Sequence, residues 1–327
     1  MKTEDQREIF IEKIFINKVR HLENIEIDLS DDNKKHLILT GKNGSGKTSV
    51  LLAIKEYLSG VESNDLKSLE MWKIQINDYK NKLQKNEKLG LNNQETFELK
   101  TKISKYNNFL EHYQSITLSI KNLDNIVPLF KDGNYIITFF DSKRTLNLKI
   151  PKSIEKIDRK TIYSLEEKVN TDFLQYIVNL KADRSFSKDD NDFKTVKEID
   201  SWFETFEKLL KDIFEDNDLK LEFDRKNYNF NILLKGHEKF DFNTLSDGYS
   251  SILNIITELI LRMENKKLKN YDVQGIVLID EIETHLHIDL QKQILPFLIG
   301  FFPKIQFIVT THSPFVLNSV NNAIIYD

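Results

Sequence analysis

The sequence predicts an α/β fold, in which strands of a parallel sheet alternate with helices packed on its faces. The last third gives the clearest evidence, because expected helices at 250–262 and 286–297 alternate with apolar strands at 275–279 and 305–310. A short apolar strand at 36–40 also runs directly into a glycine-rich loop, which a stretch with the spacing of a buried helix follows. Both observations favour strands that are connected through helices, as in a parallel sheet.

Other strand-like segments predict an antiparallel β subdomain beside this sheet. Residues 9–16 and 25–29 are rich in Ile and Phe and are joined by a polar turn. Residues 219–223 and 228–234 alternate around another polar turn and are expected to form a hairpin. Further strands are expected at 115–120, 135–140, 145–150 and 176–180.

Between residues 66 and 113 the sequence changes to polar stretches with apolar side chains three and four positions apart. A turn signal at 90–93 separates the two stretches. The spacing predicts an inserted antiparallel helical hairpin of short coiled-coil character, and the alternative is an ordinary pair of surface helices. Each arm is shorter than the roughly three to four heptads that define a coiled coil. The apolar positions are Leu69, Trp72, Ile76, Tyr79, Leu83, Leu99, Ile103, Tyr106, Leu110 and Tyr113.

Composition limits the function classes that the chain can have. The chain contains no cysteine, which excludes disulfides, zinc–thiolate sites and thiol nucleophiles. Its net charge of −4 gives no overall basic signature, so any DNA contact would need a local basic patch. No apolar run approaches the roughly 20 residues that cross a bilayer, and residues 1–6 show no signal peptide. We therefore expect a cytoplasmic protein without a membrane partner.

Residues 41–48, with the sequence Gly-Lys-Asn-Gly-Ser-Gly-Lys-Thr, fit the pattern of a phosphate-binding P-loop. Glycines let the backbone wrap closely around phosphate oxygens, and the N-terminus of the following helix adds a positive end. We expect Lys47 to bridge the β- and γ-phosphates and the Thr48 hydroxyl to occupy one Mg²⁺ position. A glycine-rich turn without function is the alternative, which the position between a strand and a helix disfavours. The predicted nucleotide contacts here are Asn43, Gly44, Ser45, Gly46, Lys47, Thr48 and Ser49.

Two acidic residues follow the apolar strand at 275–279. Asp280 is expected to hold Mg²⁺, directly or through water, and Glu281 to polarise the water that attacks ATP. Adjacent acids at the end of a buried strand have few structural roles, because an unpaired buried carboxylate is costly. Together with the loop they predict an ATPase with ATP and Mg²⁺ as cofactors.

The segment Leu-Ser-Asp-Gly-Tyr at 245–249 precedes the expected helix 250–262. Alone it is similar to any Ser-Asp-Gly turn that caps a helix. Its position after the P-loop and before the acidic strand end is typical of an ABC signature, in which Ser246 and Gly248 contact the γ-phosphate held by the other protomer. This interpretation predicts that two chains enclose two nucleotides.

A single histidine stands in Thr-Thr-His-Ser-Pro at 310–314, directly after the expected strand 305–310. Active sites of open α/β sheets lie at such strand ends. We therefore predict that His312 senses the γ-phosphate as a switch histidine and belongs to the catalytic set with Lys47 and Glu281. A purely structural histidine is the alternative.

These four motifs together resemble the ATPases of the SMC, RecF and OLD (overcoming lysogenisation defect) group. The sequences Ile-Asp-Glu-Ile-Glu-Thr-His-Leu-His and Thr-Thr-His-Ser-Pro look most like the OLD-like branch of bacterial defence systems such as Gabija, Septu, PARIS and the retron-linked ATPases. The resemblance covers about 1–60 and 240–327. It implies a P-loop ABC ATPase head at 1–62 and 165–327, an inserted hairpin at 63–114 and a β-rich part of the head at 115–164.

The resemblance also gives roles to residues outside the four motifs. Ile-Asn-Lys-Val-Arg at 16–20 resembles the first-strand element of the group, which implies that Arg20 reaches the nucleotide. Asp247 and Tyr249 depart from the Gly-Gly-Gln form of transporter signatures, which argues against a transporter subunit. No glutamine loop is recognisable. Arg184 follows an expected strand at about the right place and is our candidate for a residue that faces the nucleotide there.

Three residues after the acidic pair permit a second interpretation. Positions 284–287 correspond to the D-loop of the group, with His287 in place of the transporter-type aspartate. Alternatively, His285, His287 and Glu283 form a metal site. Residues two apart on a helix lie on different faces, which disfavours the metal site.

Two functions remain open. The first is an ATP-dependent homodimer or higher homo-oligomer that acts as the regulatory or sensor subunit of an anti-phage defence system and controls a nuclease effector. We see no nuclease signature in the chain and expect the effector in a partner protein or in a C-terminal region after Asp327. The second is a RecF/SMC-like DNA-binding clamp for repair, with the Lys-rich stretch 80–88 as a DNA contact, although such runs are commonly solvated helix faces. A transporter motor subunit ranks well below both.

Overall fold

A computed structural model describes residues 8–30, 32–90, 94–111, 113–157, 159–264 and 273–327. In chain order, the strands are β1 Ile11–Val19, β2 Leu22–Asp28, β3 His36–Leu39, β4 Ile116–Ile120, β5 Tyr135–Phe140, β6 Lys220–Asp224, β7 Asn229–Leu233, β8 Phe240–Asp241, β9 Gln274–Ile279, β10 Ile305–Thr310 and β11 Ala323–Tyr326. The helices are α1 Lys47–Glu62, α2 Leu66–Lys88, α3 Gln94–Glu111, α4 Leu123–Lys131, α5 Phe173–Asp189, α6 Phe193–Phe214, α7 Asp247–Met263, α8 Ile288–Phe301 and α9 Pro314–Leu317.

The central sheet has the strand order β11-β3-β10-β9-β5, and every neighbouring pair is parallel. Its middle strands β3 and β10 are buried on both faces, which is why they are mostly apolar and do not alternate with polar residues. Their polar residues, His36, Gln306 and Thr310, are buried as well. Along β9, Val277 and Ile279 pack into the core on one face, whereas Ile276 and Leu278 pack into the core on the other. The predicted α/β fold is therefore confirmed.

Two small antiparallel sheets flank the central one, with the orders β2-β1-β4 and β6-β7-β8. The predicted hairpin at β6 and β7 is confirmed, since these strands pair antiparallel. Gln306 joins β1 to the central sheet, because its side chain accepts a hydrogen bond from the Ile11 amide at 2.7 Å and donates to the Ile11 carbonyl at 3.0 Å. The side-chain amide of Gln306 is fully buried, so both hydrogen bonds are made away from water.

Helices α2 and α3 run antiparallel and pack on one another. The Tyr106 ring lies 6.5 Å from Trp72 and 6.0 Å from Tyr79, while Lys100 pairs with Glu87 at 3.3 Å. A residue later in α2 thus contacts a residue earlier in α3, as expected for two antiparallel helices. Residues 91–93 of the turn lie outside the described residues. The coiled-coil character of this pair and the division of the chain into domains stay predictions.

The expected strand at 145–150 is wrong, although its alternation is real. Leu146 and Leu148 are buried and their neighbours are exposed. The backbone partners are side chains instead of a second strand: the Leu146 amide donates to Ser250 Oγ and the Leu148 amide to Asn243 Oδ1, each at 2.8 Å. The alternation of buried and exposed residues at 145–150 therefore belongs to an irregular segment that lies along α7, and not to a strand.

The expected strand at 176–180 is also wrong, because these residues belong to α5. Phe173, Tyr176, Ile177 and Leu180 are buried at helical spacing, but α5 also buries Val178. The resulting apolar run has the appearance of a buried strand, which periodicity alone does not separate from a buried helix.

No helix among the described residues combines the length and the apolar character that a bilayer crossing needs.

His36 at the start of β3 is a buried titratable group. Its side chain is 1% exposed, and its Nδ1 accepts a hydrogen bond from the Phe307 amide at 3.0 Å. Burial, with a smaller contribution from the charge of Lys34, lowers the pKa of His36 to about 4. The folded protein therefore holds a neutral imidazole that the unfolded chain protonates near its usual pKa of about 6.5.

Because the folded-state pKa of His36 is lowered, its contribution to stability is complete above about pH 6.5 and is lost as the pH falls towards about 4. Between about pH 7 and pH 5 we expect this group to remove about 2 kcal/mol from the free energy of unfolding. Chemical unfolding of the wild type and of His36→Gln at both pH values measures this, since glutamine does not titrate. An equal loss in both proteins would contradict the prediction.

Candidate nucleotide-binding site

The parallel central sheet brings its carboxyl ends to one edge, where ligands of open α/β sheets bind. The glycine-rich loop 41–48 follows β3, the acidic residues 280–281 follow β9, and residues 311–312 follow β10. Since β10 lies between β3 and β9, the loop and the acids face one another across a single strand.

Three glycines shape the loop, with φ of 130° at Gly41, 82° at Gly44 and 102° at Gly46. These angles lie in the region that favours glycine. A Cβ on Gly41 would lie 2.8 Å from Ser45 Oγ, and one on Gly46 would lie 2.9 Å from Leu22 Cδ1. The backbone angles therefore favour glycine at 41 and 46, and a Cβ there would also displace the ends of the Ser45 and Leu22 side chains.

Lys47 is the first residue of α1, and its ammonium group is held inside the loop. Its Nζ donates to the carbonyl oxygens of Gly41 at 2.9 Å and Lys42 at 3.0 Å. The loop thus encircles a positive charge at a helix N-terminus, where backbone amides have no intrahelical partner. Such an arrangement attracts an anion.

The turn between β1 and β2 lies against this loop. Arg20 is exposed in the turn with φ of 55°, and Leu22 contacts the position of Gly46. His21 Cε1 lies 3.7 Å from the point that a Cβ on Gly46 would occupy. The structure therefore places the turn that carries Arg20 beside the P-loop motif. That Arg20 reaches a nucleotide stays a prediction.

Asp280 joins the loop to the strand ends through hydroxyl groups. Thr48 Oγ1 lies 3.0 Å from Asp280 Oδ1, and Thr310 Oγ1 donates to the same oxygen at 2.6 Å. Asp280 is 6% exposed, and the hydrogen bonds of its carboxylate come from these two hydroxyl groups. Carboxylate and hydroxyl oxygens are the hard ligands that Mg²⁺ takes, usually with waters and phosphate oxygens completing the shell. Thr48 and Asp280 therefore fit a Mg²⁺ ion.

Glu281 has an unusual backbone, because its φ of 45° lies in the left-handed region. Such a conformation costs an ordinary residue on the order of 1 kcal/mol or more. Two hydrogen bonds support it: the Glu281 amide donates to Thr310 Oγ1 at 2.7 Å, and Thr284 Oγ1 lies 3.2 Å from the Glu281 carboxylate. Its half-buried carboxylate is held at the same edge as the loop.

The signature segment starts α7. Ser246 is exposed and is the N-cap residue, but its side chain makes no capping hydrogen bond. Gly248 is buried, and a Cβ there would lie 2.9 Å from the carbonyl oxygen of His285. The helix N-terminus is therefore packed against the turn after β9 while its first hydroxyl is open to solvent.

His312 is exposed directly after β10, and its turn is fixed by Glu283. The Glu283 carboxylate accepts hydrogen bonds from Thr311 Oγ1 at 2.7 Å and from the His312 amide at 2.5 Å. In the parts of the chain that the structure describes, no group of three or more His, Cys, Asp and Glu residues could hold a metal ion. The alternative metal site at Glu283, His285 and His287 thus has no support.

The interpretation of Arg184 needs correction. The residue lies within α5 and not after a strand. Its guanidinium pairs with Asp200 on α6, with Nε–Oδ1 and Nη2–Oδ2 distances of 2.5 and 3.0 Å. The Arg184 side chain thus links α5 to α6, and the structure does not bring it to the glycine-rich loop.

Sequence reasoning missed Arg144, which follows β5 and is buried at the site edge. Its guanidinium donates to the Asp280 carbonyl at 2.6 Å and to the Glu281 carbonyl at 2.9 Å. Burial lowers the pKa of Arg144 to about 10, against the opposing charges of Asp141, Asp280 and two glutamates, so it stays protonated at neutral pH. If β5 had been assigned to the parallel sheet from the sequence, Arg144 would have been a candidate, because the carboxyl end of β5 lies at the same edge as the site.

Comparison with known proteins agrees with this geometry. Residues 37–318 match the family described as "AAA domain, putative AbiEii toxin, Type IV TA system". The chain belongs to this family of AAA domains. Together with the similarities to Septu PtuA and RecF described next, this match confirms the predicted resemblance to the SMC, RecF and OLD group of ATPases.

Two curated relatives and one solved structure extend the comparison. The Septu protein PtuA of Bacillus mycoides (strain KBAB4) is 30% identical over 95% of this chain and 39% of its own length. The RecF DNA replication and repair protein of Rickettsia prowazekii (strain Madrid E) is 26% identical over 90% of this chain and 92% of its own. An SmcHead bound to the C-winged helix domain of ScpA covers 95% of this chain and 92% of its own, at 12% identity and a TM-score of 0.43, from which we draw no conclusion. The chain thus spans about two fifths of the length of PtuA.

Proposed function

We propose that the chain binds ATP with Mg²⁺ in the loop 41–48 and hydrolyses it as half of a homodimer. One observation carries the proposal: Thr48 of the loop and the buried Asp280 are in hydrogen-bond contact, and the preceding residue, Lys47, holds its ammonium on the loop carbonyls. A carboxylate, a hydroxyl and an ammonium group around a loop of exposed amides match the charges of a Mg²⁺–triphosphate.

In this proposal each residue has a separate role. Lys47 moves its ammonium from the loop carbonyls to the β- and γ-phosphates, which are stronger acceptors. Bound Mg²⁺ supplies positive charge that offsets the negative charge developing on the phosphoryl oxygens. Glu281 accepts a hydrogen bond from the attacking water and orients it, and His312 lies at the neighbouring strand end, where the γ-phosphate is sensed.

The second protomer completes the site. Ser246 presents a hydroxyl without a capping partner, and the α7 N-terminus offers amides that attract anions. We propose that these groups contact the γ-phosphate in the loop of the other chain. The packing of Gly248 on the His285 carbonyl joins this surface to the turn that carries Glu281.

At the level of the cell, we propose that this cytoplasmic dimer is the regulatory or sensor subunit of an anti-phage defence system and that ATP-dependent closure controls a nuclease partner. The family membership and the similarity to Septu PtuA along nearly all of this chain support the role.

A RecF-like DNA clamp is the second candidate. The similarity to RecF extends along nearly the full length of both proteins, which favours it specifically. The exposed lysines Lys80, Lys82, Lys85 and Lys88 on α2 are candidate phosphate contacts. Phosphate contacts of this kind lose affinity steeply with salt, so DNA binding that is unchanged between low and high salt would count against the clamp.

Two substitutions test the chemistry. Lys47→Ala should abolish ATP binding because the loop loses its only ammonium that faces inward among the described residues. Glu281→Gln should keep ATP binding but slow hydrolysis about 100-fold or more, because the water loses its orienting carboxylate. Equilibrium binding of a fluorescent ATP analogue and steady-state phosphate release measure the two effects.

Lys42→Ala is the matched control, since Lys42 contributes its carbonyl and not its exposed side chain to the loop. Light scattering should show that Glu281→Gln with ATP and Mg²⁺ accumulates as a dimer. Hydrolysis by Glu281→Gln at the wild-type rate would refute the role of Glu281.

The cellular role predicts a partner. The chain, expressed with its neighbouring genes, should co-purify with a nuclease and should lower phage plating, and Glu281→Gln should lose that protection because the ATP cycle stalls. Co-purification and plaque counts measure both effects. A protein that purifies without a partner and changes no phage titre would argue against the defence role. Salt-dependent DNA binding by such a protein would argue for the clamp.

A further inference from the structure

Arg144 is the buried charged residue with the most complete set of partners at the site edge. A guanidinium has five N–H groups. In Arg144, Nη1 donates to the carbonyls of Asp141 at 2.7 Å and Asp280 at 2.6 Å, and Nη2 reaches the carbonyls of Glu281 at 2.9 Å and Ile282 at 3.4 Å. Nε donates to Ser251 Oγ at 3.1 Å. Each N–H therefore has one acceptor, and four of the five acceptors are main-chain oxygens.

Two of these carbonyls flank Glu281. The Asp280 carbonyl belongs to the peptide before Glu281, and the Glu281 carbonyl belongs to the peptide after it. The orientations of these two peptide planes define φ and ψ of the residue between them. By binding both oxygens at once, Arg144 holds Glu281 at its φ of 45°, a conformation that its own side chain disfavours.

The same segment is fixed to α7. Ser251, which accepts from Arg144, lies on this helix, and so does Ser250, whose Oγ accepts from the Leu146 amide at 2.8 Å. Asn254, one turn further along, donates to the Thr145 carbonyl at 3.1 Å. Ser246 precedes Ser251 by little more than one helical turn. A shift of α7 would therefore be transmitted through Arg144 to the backbone of Glu281.

We infer that Arg144 is a positioning residue that fixes the main chain of Glu281 in its hydrolytic orientation and couples it to the signature helix α7. The inference deepens the proposed function and rests on it for the hydrolytic role of Glu281. All five N–H groups of Arg144 are taken by acceptors of the protein itself, so its role is exercised through Glu281. Its guanidinium fork is the necessary feature, because the single ammonium of lysine cannot reach five acceptors in these directions.

Arg144→Lys tests the inference while keeping a positive charge. We expect kcat for ATP to fall about 10-fold or more, because Glu281 is no longer held in place, with the dissociation constant for the ATP analogue changed less than about 3-fold. Ser251→Ala, which cuts the link to α7 and leaves the four carbonyl contacts, should lower kcat less. Arg159→Lys is the matched control, since Arg159 is half-buried and likewise donates to a main-chain carbonyl, that of Glu264.

Hydrogen exchange keeps the test independent of hydrolysis. In Arg144→Lys the amides at 280–284 should exchange about 10-fold faster or more, whereas those of the loop 41–48 should keep the wild-type rate. If the wild type did not hydrolyse ATP, the proposed function would fail, and faster exchange at 280–284 would still support the positioning of the turn. Wild-type exchange at 280–284 together with kcat within about 2-fold of the wild type would overturn the inference.

Discussion

The parallel pairing of β3, β10 and β9 is the constraint on which the site depends. Its register sets Leu39 beside Thr310 and Val309 beside Ile279, so the three strands end at the same level. The glycine-rich loop, the acids Asp280 and Glu281, and His312 all follow within one or two residues of these strand ends. Thr310, at the last position of the middle strand, bonds to the Asp280 carboxylate and to the Glu281 amide, so the register itself sets the spacing of the acids. A shift of one residue would separate these groups.

Much of this arrangement could be predicted from sequence because it depends on local patterns. Apolar strands that end in a glycine loop, in two acids or in a histidine specify both the sheet and the side chains at its edge. The role of the glycines in the loop was predictable for the same reason, and the positive φ values at Gly41 and Gly46 agree with it. The order of the strands and the pairing of Thr310 with Asp280 needed the structure, because they depend on which strand lies between two others.

The two wrongly expected strands have a common physical cause. In a buried segment, the spacing of apolar residues in the sequence no longer distinguishes a helix, a strand and an irregular stretch. The segment 145–150 alternates because side chains of α7 and of the preceding turn satisfy its backbone, and 176–180 is apolar because α5 is buried on most sides. The error at 176–180 also misplaced Arg184, which pairs with Asp200. Arg144 escaped notice for the converse reason: its partners are backbone carbonyls, which leave no signal in sequence.

In the proposed dimer, the P-loop of one chain and the signature of the other form one active site. Differently tagged Lys47→Ala and Ser246→Arg chains, each inactive alone, can be co-expressed and their heterodimer isolated. In that heterodimer one site combines both defects and the other combines an intact loop with an intact signature. We expect about half the wild-type rate of ATP hydrolysis, because one of two symmetry-related sites is whole. A stable heterodimer without ATPase activity would contradict it.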